Sequence, residues 1–505
     1  MQDGQASEQE SEAMLGQDEG KPRSLERPGD SLGRREGGLG GKSHRKGQKT
    51  VVSPTGGDAA ARDLPSLKID DFATKVPRHQ FPLGVVAGSL ALVLRTGTRL
   101  KRAAAVLALN WSWWADGGAV GTYYSVRLWL LRLGLHQLNR PQERADDWMW
   151  IIDHTMQLGE RKCLIIVGLR QSAWNAENRC LSHEDVQLID LQPVTTSTGE
   201  VVYQQLEAAT AKTGVPRAII SDDGRDLHKG IAKFLEAHGT TVWLYDIKHK
   251  TACLLKHELE SDPSWQAFVE AVNRFKQRVS VTPLACLLPP QQRGKARYLN
   301  IDVLVDWAEK KLTLLDRPDV QAGLGLNAAT VEEKLGWLRE FAPQVRRWRE
   351  ALAVIETTEH YVRHEGIHRR AAEELSSALS QPTSEPARRF RMTLLEFIQK
   401  EAEQIREKEC LLGSSEVLES IIGKFKCVAG ERGQHGLTGM VLSLGALVGR
   451  VTVGMVQTAL TEVTNQEVWD WCHSHLGATV QGVRRRIALA LRSEQIQKPL
   501  LLAES

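Results

Sequence analysis

Hydrophobic positions change their period twice along the chain. Between residues 146 and 255, short apolar runs predict strands at 148–154, 162–170 (Cys163-Leu164-Ile165-Ile166-Val167-Gly168-Leu169), 186–194, 217–222 and 241–247. Helical spacing predicts two helices among them, at about 199–213 (Val201, Val202, Leu206, Ala209) and about 226–238 (Leu227, Ile231, Phe234, Leu235). From about 250 to 410 the pattern is helical, charged and punctuated by Trp265, Trp307, Trp337 and Trp348. A further helix is predicted over 414–427, and 436–505 reads as a helical tail.

The order βββαβαβ opens as a meander and continues through crossover helices. It is the topology of an RNase H-like core, a mixed five-stranded sheet in which the first and fourth strands are neighbours. The fold class is therefore α/β, with this sheet interrupted by an all-α insertion. Residues 81–139 predict three short helices, around Leu90 to Leu94, Leu100 to Leu109 and Tyr123 to Leu133, the last with Thr122 as cap and Gly134 as stop. Basic positions expected to be exposed (Arg99, Lys101, Arg102, Arg127, Arg132) fit a helix-turn-helix-like module, the competing reading being a small helical domain that packs on the next one. Residues 1–65 are polar and poor in aromatic and β-branched residues, so disorder is expected. The expected divisions are a tail (1–65), a helix-turn-helix-like domain (66–140), the first part of the core (146–255), the insertion (256–410), the last core helix (411–435) and the C-terminal region (436–505).

Composition narrows the class only slightly. The 505 residues carry a net charge of +3, with 42% hydrophobic and 25% charged residues, the values of an ordinary soluble protein. The 7 cysteines are scattered with no C-x-x-C pair, which predicts reduced thiols and no zinc site. The polar, acidic start and the charges that interrupt every apolar stretch predict no signal peptide and no membrane span.

Chemistry enters at the strand ends. Trp148-Met149-Trp150-Ile151-Ile152-Asp153 and Ala218-Ile219-Ile220-Ser221-Asp222-Asp223-Gly224 are apolar runs that each close on a carboxylate. On adjacent strands, two such acids repel one another unless divalent cations lie between them. Asp222 is the favoured member of its pair because it ends the strand, with Asp223 as the fallback. Cutting a phosphodiester in this way takes three carboxylates and two Mg²⁺ ions, with Mn²⁺ as the substitute. The third acid is expected on the helix Gly413-Ser414-Ser415-Glu416-Val417-Leu418-Glu419, capped by Ser414 or Ser415. Glu416 and Glu419 share a face there, with Lys426 two turns beyond Glu419.

Residues 146–427 resemble the catalytic domain of DDE insertion-sequence transposases whose RNase H-like fold holds a helical insertion. The resemblance implies Asp153, Asp222 and Glu419 as metal ligands and Lys426, seven residues after Glu419, as a further catalytic residue. Ser415 and Leu412 stand where the family often has Arg or Asn and Tyr, which leaves Glu416 as a rival third acid. Tyr245-Asp246-Ile247-Lys248-His249 resembles the family's C/D-x-x-H element and implies His249 as a helper at the scissile phosphate, against the plainer reading of a helix cap and a surface histidine.

The expected activity is binding of element ends, 3′-end cleavage and strand transfer. The alternatives are an RNase H-like structure-selective nuclease and a domesticated, inactive DNA-binding protein. The expected partners are the element's terminal inverted repeats and target DNA, with a homodimer or higher oligomer once two ends are synapsed, in a cytoplasmic, nucleoid-associated location. Phosphate contacts are expected from Arg127 and Arg132 and from Arg293, Lys295 and Arg297, whose Gly-containing loop is poor helix material.

Overall fold

Trp148–Met156 becomes the middle strand of a five-stranded sheet because both of its faces are apolar and both find cover. The computed structural model describes residues 67–114, 120–156, 161–175, 179–290, 301–430, 437–478 and 480–501. The expected disordered tail, the Asp116-Gly117-Gly118 loop and the basic cluster of Arg293, Lys295 and Arg297 lie outside the described residues. Residues 67–477 form one compact unit, and the described part of the other unit is a helix, Val480–Leu501.

After a short helical turn at Ile69–Ala73 come three longer helices: α1 (Leu83–Thr96), α2 (Leu100–Trp114) and α3 (Tyr123–Asn139). The core follows as β1 (Trp148–Met156), β2 (Lys162–Arg170), β3 (Gln187–Val194), α4 (Gly199–Thr213), β4 (Ala218–Ser221), α5 (Arg225–Ala237) and β5 (Val242–Tyr245). The strand order β3-β2-β1-β4-β5, antiparallel on the β2 side of β1 and parallel on the β4 side, is that of an RNase H-like sheet.

Alternation decides which helices cover which face. Trp148, Trp150 and Ile152 pack with Val202 and Leu206 of α4 and Ile231 and Phe234 of α5. Met149 and Ile151, with Ala218 and Ile220 of β4, face the opposite way into the larger core.

After β5 the insertion begins with α6 (Ile247–Glu260), α7 (Pro263–Val279), α8 (Ile301–Leu315) and α9 (Ala342–Glu365). Its tryptophans are core residues: Trp265 meets Trp348 edge-on with ring centroids 4.9 Å apart, and Phe268 packs on Trp348 at 5.2 Å. The insertion also contains a two-residue ladder, β6 (Ile367–His368), then α10 (Glu385–Glu403) and β7 (Cys410–Leu411), so it is not purely helical. Near β7, Arg217 and Glu409 form a buried bidentate pair at 2.6 and 2.7 Å, and Arg217 Nη1 also donates to Thr240 O at 2.8 Å. The chain then re-enters the core as α11 (Glu416–Ala429), whose Leu418, Ile421 and Phe425 join the same apolar cluster as Met149 and Ile151 of β1. α12 (Val453–Glu462) and α13 (Asn465–Leu476) close the unit.

The first and last helices of this unit belong together. α3 is enclosed by α1, α2, α12 and α13 and by the short turn Ser443–Leu447. Gly134 does not stop α3, which runs on to Asn139. A Cβ at position 134 would lie 1.8 Å from Leu442 O, so glycine is there to let two backbones touch. Among the described residues, no helix is long and apolar enough to cross a membrane.

Candidate active site

The parallel register of β1 and β4 pairs Ile151 with Ile220. Asp153 does not end its strand as expected: β1 runs on to Met156, with Asp153 on the face of Met149 and Ile151, while Asp222 is the first residue after β4. α11 packs against β1 and its apolar residues join the cluster on that face, which brings the helix bearing Glu419 to the side of Asp153.

Electrostatics shows the acids as neighbours. Burial first, then the charge of Asp222 and more weakly that of Glu419, push the Asp153 carboxyl up to about 7, against the His154 N–H and Lys426. Glu419 is also pushed up to about 7, by burial first and then by Asp246, Glu416 and Glu359, with Lys248 opposing. Its side chain reaches solvent, yet it stands among enough protein and enough negative charge to disfavour ionisation.

Both aspartates are turned toward local backbone. Asp153 Oδ1 accepts from His154 N at 2.6 Å, and Asp222 Oδ1 accepts from Gly224 N at 3.0 Å in the turn after β4. Among the described residues, no three His, Cys, Asp or Glu side chains are already gathered to hold a metal ion. Carboxylate oxygens are the donors a hard divalent cation takes, and its charge would offset the burial and like charges that raise Asp153 and Glu419.

The two rival acids separate. Glu416 forms ion pairs with Lys248 Nζ at 3.1 Å and Arg363 Nε at 3.4 Å, while Glu419 is the α11 acid whose charge reaches Asp153. Asp223, the fallback for Asp222, accepts from His228 Nδ1 at 2.6 Å on the exposed side of the turn. Lys426 is exposed and acts on Asp153.

Asp246 has a structural task. Fully buried, it accepts from His249 N at 3.1 Å and from Ser415 N at 2.8 Å, so one carboxylate caps α6 and holds the start of α11. Ile247 N to Gly413 O, 3.1 Å, fastens the same junction, and Ser414 Oγ accepts from Glu416 N at 3.3 Å. The His249 ring packs on Tyr245 with centroids 5.8 Å apart, and among the described contacts it does not meet the three acids. The Asp-x-x-His spacing thus carries a cap.

Sequence reasoning missed Arg363 and Glu359, both on α9 of the insertion. Glu359 accepts from the Thr251 hydroxyl of α6, and Arg363 holds Glu416. No local motif marks them, because their partners lie 108 and 53 residues away.

Arg132 corrects the expected basic surface. It is buried, with Nε donating to Val463 O at 2.5 Å and Nη2 to Leu460 O at 2.6 Å, and burial lowers its pKa to about 10. An enclosed α3 uses this arginine to satisfy the orphan carbonyls at the end of α12, not to meet a phosphate. Arg127 is half-buried against Met440 Sδ at 3.4 Å, whereas Arg99, Lys101 and Arg102 are exposed.

No protein-family model matches the chain, and no curated protein sequence matches it. Among solved structures, it is similar to the Drosophila P element transposase strand transfer complex, with 10% identity, a TM-score of 0.33, and coverage of 77% of this chain and 93% of that one. It is also similar to the simian T-cell lymphotropic virus intasome in complex with the PP2A regulatory subunit B56 gamma, with 14% identity, a TM-score of 0.16, and coverage of 42% and 68%. Likenesses this distant carry no argument, and the RNase H-like fold of this chain rests on its own strand order.

Proposed function

We propose that this chain is a DNA transposase that cleaves 3′ ends and transfers strands with divalent metal ions. The reading rests on one observation above the rest: Asp153 within β1 and Asp222 directly after the neighbouring parallel β4 act on one another, and the charge of Glu419 on α11 also reaches Asp153.

Asp153, Asp222 and Glu419 would hold the Mg²⁺ ions, which when bound supply an activated water or 3′-OH and neutralise the leaving oxygen. The protein's own part is placement. Lys248 and Arg363 hold Glu416, Asp246 holds the residue before it, and together they set the first turn of α11. Lys426 puts a positive charge beside Asp153, where a scissile phosphate would need one. Because the carboxylates serve as metal ligands, no covalent protein–DNA intermediate forms. DNA binding draws on Arg99, Lys101 and Arg102, with Arg127, Arg293, Lys295 and Arg297 as further contacts. His249 remains a helper by resemblance.

The test uses the purified full chain and duplexes bearing the inverted repeats that flank its gene, with Mg²⁺ or Mn²⁺. Cleaved 3′ ends followed by joined products, both lost in Asp153→Asn, are the expected result. Nicking without joining would favour the structure-selective nuclease. Metal-independent DNA binding with no cleavage would favour the inactive DNA-binding protein. Products undiminished in Asp153→Asn would remove the acid site from the mechanism.

A further inference from the structure

One and two turns beyond Glu416 along α11, a second polar cluster joins three parts of the fold. Lys424 Nζ lies 2.9 Å from His183 Nδ1, and His183 Nε2 lies 3.0 Å from Ser420 Oγ. Ser420 and Lys424 are four apart on α11 and so stack on one face. Arg95, in the last turn of α1, pairs with Glu184, the neighbour of His183. A second guanidinium nitrogen of Arg95 has no hydrogen-bond partner.

The charges here do not cancel. Lys424 feels Arg95 as a like charge and Glu184 as its one opposing charge. His183 is held neutral, with burial, Lys424 and Arg95 lowering its pKa to about 4. Two cations therefore face one carboxylate. Lys248, also beside α11, shows what a structural lysine does in this protein, which is to pair with an acid, Glu416. Lys424 has an uncharged imidazole in that place.

The cluster is also built and open. The loop carrying His183 is fixed by Ser182 N to Asp185 Oδ2, 2.6 Å, and by Gly449 N to His183 O, 2.7 Å. Ser420 and Lys424 are exposed. Past Arg95, Gly97 in the left-handed region (φ 66°) turns the chain into α2, where Arg99, Lys101 and Arg102 are exposed and, among the described residues, form no ion pair. Positive charge thus runs from α11 across α1 onto α2. Ser420 directly follows Glu419, and Lys424 lies about 7.5 Å further along the helix axis and about 140° round it from that acid.

We propose that Lys424, Ser420, His183 and Arg95 form a subsite for a phosphodiester of bound DNA, further along α11 from Glu419 and continuous with the basic start of α2. The lysine and serine donate to phosphate oxygens, His183 orients both, and Arg95 supplies the second positive charge. This inference rests on the reading of the chain as a DNA-acting enzyme.

The test is fluorescence anisotropy of the full chain with a labelled DNA duplex across a salt series. Lys424→Gln is expected to weaken binding and to reduce the slope of log affinity against log salt by about 0.9, the release of one phosphate's counterions. Lys424→Arg is expected to keep the slope, Ser420→Ala to give a smaller loss, and Lys229→Gln, exposed on the helix covering the opposite sheet face, to give none. Wild-type affinity and slope in both Lys424→Gln and Ser420→Ala, with circular dichroism unchanged, would overturn the subsite while leaving the transposase reading intact. Absence of salt-dependent DNA binding by the wild-type chain would overturn both.

Discussion

The two ends of β4 handle charge in opposite ways. At its start, Arg217 is buried and fully paired, bidentate with Glu409 and bonded to Thr240 O. Just past its end, about 16 Å on, Asp222 acts on Asp153, whose carboxyl also feels Glu419 and, in the opposite sense, Lys426. A fold that satisfies a buried ion pair at one end and leaves like charges together at the other has spent stability at the second place. The first end fastens the insertion to the sheet. The second keeps carboxylates close enough for Asp222 and Glu419 to raise the pKa of Asp153.

Substitutions should separate the two ends sharply. Asp222→Asn or Asp153→Asn is expected to lower DNA cleavage and joining by about 10³-fold, since several kcal/mol of charge stabilisation goes with a lost metal ligand. Urea unfolding should show little or no loss of stability in either variant. Glu409→Gln should do the reverse, costing about 3–5 kcal/mol in the same unfolding measurement by stranding Arg217 without its counter-charge. If Glu409→Gln proved neutral in stability, the contrast between the ends would fail.

Asp246→Ala probes the junction between the insertion and the acid helix. Losing a cap shared by His249 N and Ser415 N should cost about 2 kcal/mol in chemical denaturation. Cleavage should fall further than that stability loss alone predicts, because the first turn of α11 would shift. Equal losses would make Asp246 a structural residue only.

The smallest effect is in pH. Native Asp153 keeps its proton up to about 7, while the unfolded chain releases it near the ordinary 3.8, so between these values the native state holds more protons. Its contribution to stability is therefore greatest below the unfolded value, falls as pH rises through that window, and is lost above about 7. Metal-free Asp153→Asn should melt a few degrees above wild type at pH 8, with the difference closing near pH 4, by scanning calorimetry. Adding Mg²⁺ should raise the wild-type midpoint at pH 8 more than that of the variant.

Local pattern was a good guide wherever one segment carried its own signal. The strands at 148–156 and 162–170 and the helices at 199–213 and 225–237 follow their apolar periods closely. Strand 5 is shorter than expected, because Asp246 leaves the sheet to cap α6. Gly134 and Arg132 misled for a shared reason. Each reads locally as a stop or an exposed cation, yet each answers to a segment more than 300 residues later, Leu442 for one and Leu460 and Val463 for the other.

By itself, the sequence determined the element order, the face on which Asp153 and Asp222 emerge, and the presence of a helix bearing Glu416 and Glu419. These follow from periods of 2 and 3.6 residues, which a single segment expresses without its neighbours. Only the tertiary structure decided that Glu416 is taken by Lys248 and Arg363 while Glu419 is left to act on Asp153. It also decided that Asp246 ties two helices together, and that Lys424 faces His183 beneath Arg95. Those outcomes depend on charges brought together from distant parts of the chain, and Coulomb interactions act through space, where sequence spacing carries no information.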